Sequence, residues 1–578
     1  MSKRNIFLYA AFFILVTISF TLFVPETLRQ LEGTDFYTCS HDFWIQKISN
    51  PPGITGWLNN FLLQFYMWPF IGMLITSILL TLTAIFGGLL PRAIGRTGFP
   101  ELSVLLPLFL LTFMLLNLNI YLQTTFFFAA LLCGLLIKKD GLKACFLLVF
   151  SIAGYFLICW SLLALAIILI TAEAYYKSRK PAILIVGVAS LGLAVADVYI
   201  SSALFGFVPF NHRFFYSPSP QATPLAFLAI FIIGIVLVMI PFKKLKNWTV
   251  WIPSAAIIII VCASIYYRLS REDVIHTEKT YLYAKMADEK QWNDLLQTIS
   301  HEDAMQSKLP MCYDLLAESA LGTLPDHIFD YNIVNPEDFL FRHELKSVSC
   351  LFNRQFYENL GIYDEAFRQA FEYGVMSADG TCFSSLRQMT HYAILMGNDK
   401  IAEKYLDILD KSTLNGSWIK NERQFMLTYK KPQQKLPYVK DTFVSVYLFD
   451  SEMVRQLQVT PTNRKVLDYL LLGLLMQRQL DKFSIIIHAF PLYKNKILPK
   501  AYAEAAAMLA ADPKLTLRNA FSYPEDLDKQ FIQFYQLQQQ NKDPNAFANY
   551  FGTYWYFYFF IEPAAQEAQE EQGHAVNS

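Results

Sequence analysis

Few side chains in this sequence are placed to do chemistry, and the richest group lies between positions 25 and 62. There PETLRQLEGTDFYTCSHDFWIQKISNPPGITGWLNNFL sets Glu26, Glu32, Asp35, His41 and Asp42 among aromatic residues. A carboxylate at the mouth of a membrane bundle can take a proton from an acceptor or hold a divalent metal. A second cluster, Phe210-Asn211-His212-Arg213, offers a guanidinium beside an imidazole, a pair suited to receiving a phosphate. Each cluster also has a plainer reading. Phe36, Tyr37, Phe43, Trp44 and Trp57 are residue types that anchor an amphipathic segment at a bilayer surface, with Pro51-Pro52-Gly53 as a turn, and Arg213 serves equally as a headgroup anchor.

Other chemistry is not encoded in recognisable form. There is no His-Glu-x-x-His, no glycine-rich phosphate loop before a lysine, and no Gly-x-Ser-x-Gly elbow. No cofactor motif stands out, and a divalent metal enters only with the acidic-loop reading. Cys133, Cys145, Cys159 and Cys262 sit in or near apolar stretches, while Cys39, Cys312, Cys350 and Cys382 do not. The second four permit disulfides outside the cytoplasm, but their wide spacing carries no Cys-x-x-Cys signal.

The elements that must position these groups follow from composition. Of 578 residues, 54% are hydrophobic and 17% charged, against roughly 25% charged in an ordinary soluble domain. Lys plus Arg and Asp plus Glu both total 48, yet Met1–Ser270 holds 17 basic and 8 acidic residues and the remainder 31 and 40. The zero sum therefore joins two unlike halves, and it excludes a generally basic nucleic-acid binder. Apolar runs near 6–24, 66–90, 102–118, 121–137, 142–157, 158–174, 181–200, 222–242 and 248–267 predict nine spans, the first an uncleaved helix behind Lys3 and Arg4. Nine alternating spans put thirteen basic residues of this half on the side of Met1 and four on the other. That bias makes Met1 cytoplasmic and the C-terminal half external, which in a bacterial inner membrane means the periplasm. It also requires 142–174 to cross twice. Asp197 and Glu173 lie near the ends of spans, and so little charge deep in the bundle disfavours a pump and leaves a transporter as a third, weaker reading.

From about Arg271 the pattern becomes amphipathic with a helical period. Tyr357-Glu-Asn-Leu-Gly361-Ile-Tyr363-Asp-Glu-Ala366 resembles the central turn of a tetratricopeptide repeat, and Tyr392-Ala-Ile-Leu-Met-Gly397-Asn-Asp-Lys-Ile-Ala402 repeats it at a spacing of 36. Weaker units at Tyr283 to Ile299, with Trp292 in the aromatic slot, and at Leu472 to Phe490 extend the series. The expected fold is all-α: a polytopic transmembrane bundle over 1–269, a helical-repeat solenoid outside the cytoplasm over 270–563, and a polar tail over 564–578. The aromatic run Phe551–Ile561 caps the last layer or returns to the membrane interface.

Glu32, Phe36 and Tyr37 of the first loop, the Pro52-Gly53-Ile54 turn, Phe61-Leu-Leu-Gln64-Phe65-Tyr66 with Trp68-Pro69, and Thr553-Tyr-Trp-Tyr resemble a family of uncharacterised multispan proteins from Bacteroidetes. That resemblance covers nearly the whole chain and implies organisation rather than an activity. More remotely, a first span followed by an acidic external loop, paired spans and an external C-terminal domain resembles the integral-membrane (GT-C type) glycosyltransferases. This implies a lipid-phosphate sugar donor, a base among Asp35, Glu32 and Asp42, and a donor contact at His212 or Arg213, although the compact pair of acidic residues usual in that class is absent. The reading from a different class is an envelope scaffold whose repeats bind a protein partner. Membrane lipids are partners under either reading.

Overall fold

The computed structural model describes residues 3–95, 100–113, 115–204, 232–236, 251–341, 346–377, 379–429, 449–510, 517, 520–540 and 543–561. The chain divides into two compact units, Met1–Lys279 with Leu409–Gly416, and Thr280–Ile408 with Ser417–Ser578. Among the described residues the named elements are helical, joined by one isolated β-bridge.

Among the described residues of the first unit, six helices are long and apolar enough to cross a membrane: α1 (Lys3–Phe23), α5 (Pro69–Ala93), α7 (Leu118–Leu136), α8 (Asp140–Leu157), α9 (Trp160–Ser178) and α10 (Pro181–Leu204). Between the first two lie α2 (Pro25–Gly33), α3 (His41–Ile48) and α4 (Gly53–Leu63). The stretch expected as a span at 102–118 is instead a 3-10 turn, Pro100–Val104, and a short α6 (Leu105–Phe113). Leu116 then turns the chain at φ 62°, and the Asn117 side chain caps α7. Gln123 does not lie in that turn. It is buried inside α7, where its side-chain oxygen accepts the Cys159 N–H at 3.1 Å. The helix Trp251–Leu269 supplies another, shorter apolar segment, Ala255–Leu269. Most of the expected span at 222–242 lies outside the described residues.

Residues 140–178 form a helical hairpin. Lys143 near the start of α8 pairs with Glu173 near the end of α9 at 2.9 Å; Lys177 joins Glu173, and Lys180 bonds Asp140 at 2.7 Å. These contacts bring the start of α8 to the end of α9, so the two helices run antiparallel, and they gather the basic cluster at one end of the bundle. Its centre is packed with Leu80, Phe127, Phe128, Leu162 and Ile167, while Val149, Ile185 and Val188 face outward at 66–70% exposure. An apolar surface of that kind is stable only against lipid. Hydroxyl pairs stitch the helices where no water competes, at Thr17–Ser77 (2.9 Å) and Thr83–Thr125 (3.0 Å).

The second unit is built from helical hairpins that share one turn. In five of them a residue one or two positions past the first helix adopts left-handed geometry, at Lys290, Gly322, Gly361, Gly397 and Arg478 (φ 57–82°). Its N–H reaches the carbonyl three residues back, and the next N–H reaches five back, as in Gly361→Glu358 with Ile362→Tyr357 and Gly397→Ile394 with Asn398→Ala393. Orphan carbonyls at the helix end are thereby satisfied. The 36-residue register therefore holds, and Ala366 and Ala402 occupy equivalent positions, both fully buried. Leu295 and Phe483, five residues after Lys290 and Arg478, are equally buried. Stacked hairpins of this type share a core that none could build alone. The aromatic run ends the stack as a cap: Tyr554 and Trp555 are buried, and Trp555 packs on Phe531 and Phe534 at 5.5 and 5.9 Å. The eight cysteines, all among the described residues, form no disulfide.

Candidate functional site

The acidic loop was the first place to look for chemistry, and the fold holds its three carboxylates in different settings. Glu32 is buried in the last turn of α2. Asp35 is half-buried: its Oδ1 accepts from the Asn60 amide at 2.9 Å and from the Phe36 N–H at 3.0 Å, and its Oδ2 from the Asn59 amide at 3.3 Å. Asn60 also donates to the Phe36 carbonyl at 2.8 Å. Asp35 thus ties the extended segment after α2 to α4. Asp42 is exposed in the first turn of α3, where it complements the helix dipole. Among the described residues, no group of three His, Cys, Asp or Glu side chains is arranged to hold a metal. His212 and Arg213 lie outside the described residues.

The loop aromatics mostly pack on one another. Tyr37 meets Phe43, Trp57 and Phe61 edge-on at 5.4–5.8 Å, and Phe36, Tyr37 and Phe43 are buried. Gly53 allows α4 to start against α3, since a Cβ there would lie 2.3 Å from the Lys47 carbonyl oxygen. Of the expected interface anchors, Trp44 is exposed, with Ile45 beside it.

A more developed site lies in the helical-repeat unit, and it is made by the turns. A cavity of about 630 Å³ opens between the Lys290 turn, the Gly361 turn and the start of the helix Arg464–Met476. Trp292, Tyr363 and Phe425 supply aromatic wall. Volumes of a few hundred Å³ with mixed apolar and polar lining are typical of ligand sites.

Its acidic groups are organised by Arg354, whose side chain is 3% exposed. The guanidinium meets Asp288 at 2.5 Å and Glu358 at 3.3 Å; Tyr392 accepts from Arg354 at 3.0 Å and donates to Glu358 at 2.5 Å. Gln355 donates to Asp288 at 2.8 Å and accepts from Tyr313 at 3.0 Å. Burial opposes the Arg354 charge, but Asp288, Tyr392 and Glu358 outweigh it and hold the guanidinium well above its ordinary value. Basic groups line the same cavity. Lys465 Nζ donates to Asn359 Oδ1 at 2.6 Å, Asn359 donates to Ser319 at 3.0 Å, and Asn463 donates to the Leu360 carbonyl at 2.9 Å. Burial, followed by the positive charge of Lys290, pulls the Lys465 ammonium below its ordinary value.

Reading the sequence located Trp292 and Gly361 but did not join them to Asn463 and Lys465, which arrive from a distant part of the chain. The available signal was modest: Arg354 and Glu358 at i,i+4 on a helix whose partner hairpins also end in polar residues.

The chain belongs to a family described as a family of unknown function (DUF6057), whose pattern matches residues 2–561. No curated protein and no solved structure matched.

Proposed function

We propose that this is a cell-envelope membrane protein that acts as an anchored scaffold, holding a protein partner on its helical repeats. The cavity carries this reading: two hairpin turns and a helix start converge on one recess whose aromatic walls and buried Arg354 network are ordered without any contribution from the acidic loop. Helical hairpin stacks present concave surfaces of this kind to extended ligands. The excess of basic residues on the Met1 side supports a cytoplasmic Met1 and a periplasmic repeat domain. A photoreactive phenylalanine analogue at Phe425, in the full-length protein in cells, should give a discrete adduct on irradiation. The same analogue at exposed Ile532 should not. Equal labelling from both positions, or none from Phe425, would refute the scaffold.

A second reading, sugar transfer from a lipid-phosphate donor, is favoured by the buried Glu32 and half-buried Asp35 in one loop of the membrane unit. Under it Asp35 takes the acceptor proton and His212 or Arg213 meets the donor phosphate. Asp35→Asn at equal membrane abundance separates the two readings, because a lost base costs about 10²–10⁴-fold in rate and a lost structural acceptor does not.

A further inference from the structure

The acidic and basic groups of the repeat cavity differ in how their charges are used. Asp288 and Glu358 are bound by Arg354, with Gln355 and Tyr392 supplying further hydrogen bonds. Lys290 and Lys465 face one recess, and neither has a carboxylate within ion-pair distance among the described residues. Lys465 has a neutral partner, the Asn359 side-chain oxygen. Asn359 and Asn463 are fixed by their own bonds to Ser319 and Leu360, so this part of the wall is ordered before any ligand arrives.

The geometry points to a binding site for an acidic peptide segment of a partner protein, with a carboxylate between Lys290 and Lys465 and a neighbouring apolar side chain against Trp292, Tyr363 and Phe425. This rests on the scaffold reading and names the chemistry of its partner. Two like charges sharing one recess repel each other, and an entering anion relieves that repulsion while forming charge-assisted hydrogen bonds. The lowered affinity of Lys465 for its proton agrees with this, since burial and then the charge of Lys290 disfavour its ammonium. The aromatic wall favours a peptide over a bare inorganic anion, because flat apolar rings gain from covering a side chain and gain nothing from a hydrated phosphate. Positive charge at the recess also speeds encounter with an acidic segment and makes binding sensitive to salt.

The test uses the full-length protein in detergent micelles and fluorescence anisotropy of a labelled hexapeptide, Glu-Phe-Asp-Leu-Glu-Phe, beside its Gln/Asn analogue. The acidic peptide should bind at least about tenfold more tightly, with the preference shrinking between 50 mM and 500 mM NaCl. Lys465→Met and Lys290→Met should each remove most of the preference, and Lys465→Arg should keep part of it. Lys290 is exposed, so Lys290→Met tests the charge without disturbing a core. Equal binding of the two peptides, or a preference unchanged in both Met variants, overturns the assignment of the lysines while leaving partner capture at Phe425 intact. Displacement of the acidic peptide by low-millimolar inorganic phosphate overturns the preference for carboxylate. If neither peptide binds but Phe425 still gives its adduct in cells, the acidic-peptide assignment falls and the scaffold stands. If the adduct is lost as well, both fall.

Discussion

Glu504 offers a sharp test of how the aromatic cap is held. Its side chain is 4% exposed in the helix Lys500–Leu509, and Oε2 accepts the Tyr554 N–H at 2.6 Å, at the first turn of the helix Tyr554–Phe560. The Glu504 carbonyl receives the Trp555 indole N–H at 2.9 Å. Burial pushes the carboxyl up to about 7 from an ordinary 4.5; the Tyr554 N–H and Lys500 oppose the shift, and Asp330 adds to it. A raised carboxyl makes the folded state the better proton binder. Its contribution is complete below about pH 4.5 and is lost as pH rises through about 7. A difference of this size corresponds to about 3 kcal/mol, or roughly 300-fold in an opening equilibrium over the full titration. Hydrogen exchange of the 554–560 amides, corrected for the intrinsic pH dependence of exchange, reads that opening directly. Protection should fall by up to about 100-fold between pH 5 and pH 8. Glu504→Gln keeps an oxygen to accept the Tyr554 N–H but cannot ionise, so it should flatten the profile and protect the segment better than wild type at pH 8. A Glu504→Gln profile with the wild-type slope would refute the argument. Asp314 and Asp468, whose carboxyls burial pushes up to about 6, remain in both proteins and cancel from the comparison.

Other consequences can be checked in the same preparation. Ala366→Leu should overpack a fully buried hairpin contact and cost about 1–3 kcal/mol by denaturant titration. Gly361→Ala forces a Cβ into left-handed geometry at φ 77° and should cost about 1–2 kcal/mol. Arg354→Met leaves Asp288 and Glu358 without their shared guanidinium and should destabilise the repeat unit by about 3–5 kcal/mol. Under the scaffold reading, Asp35→Asn should complement a deletion strain fully at equal membrane abundance. Lys400→Cys, at an exposed position just beyond the Gly397 turn, should react with a membrane-impermeant thiol reagent once the outer membrane alone is opened; reaction only after the inner membrane is breached would reverse the proposed topology.

Much of the fold was legible because helical information is local. Apolar runs of about 20 residues identify membrane helices by length alone, and the glycine and alanine landmarks at 361, 366, 397 and 402 announced the repeat because left-handed turns and close helix contacts select small residues. The same turn at Lys290 and Arg478 carried no such mark, since the stacked hairpins stabilise left-handed geometry there without a glycine. The break at Leu116 is marked in the sequence only by Asn117 and Asn119, which interrupt an otherwise apolar run. For function, the sequence by itself determined which residue types were available and which half of the chain held them. Only the tertiary structure decided how they were used. Asp35 looked like a free carboxylate until α4 brought Asn59 and Asn60 to it, whereas Lys290, Asn359 and Lys465, unremarkable where they stand in the chain, meet at one recess. The physical reason is that secondary structure follows from near neighbours, while a site depends on contacts between residues far apart in sequence, whose proximity is set by packing.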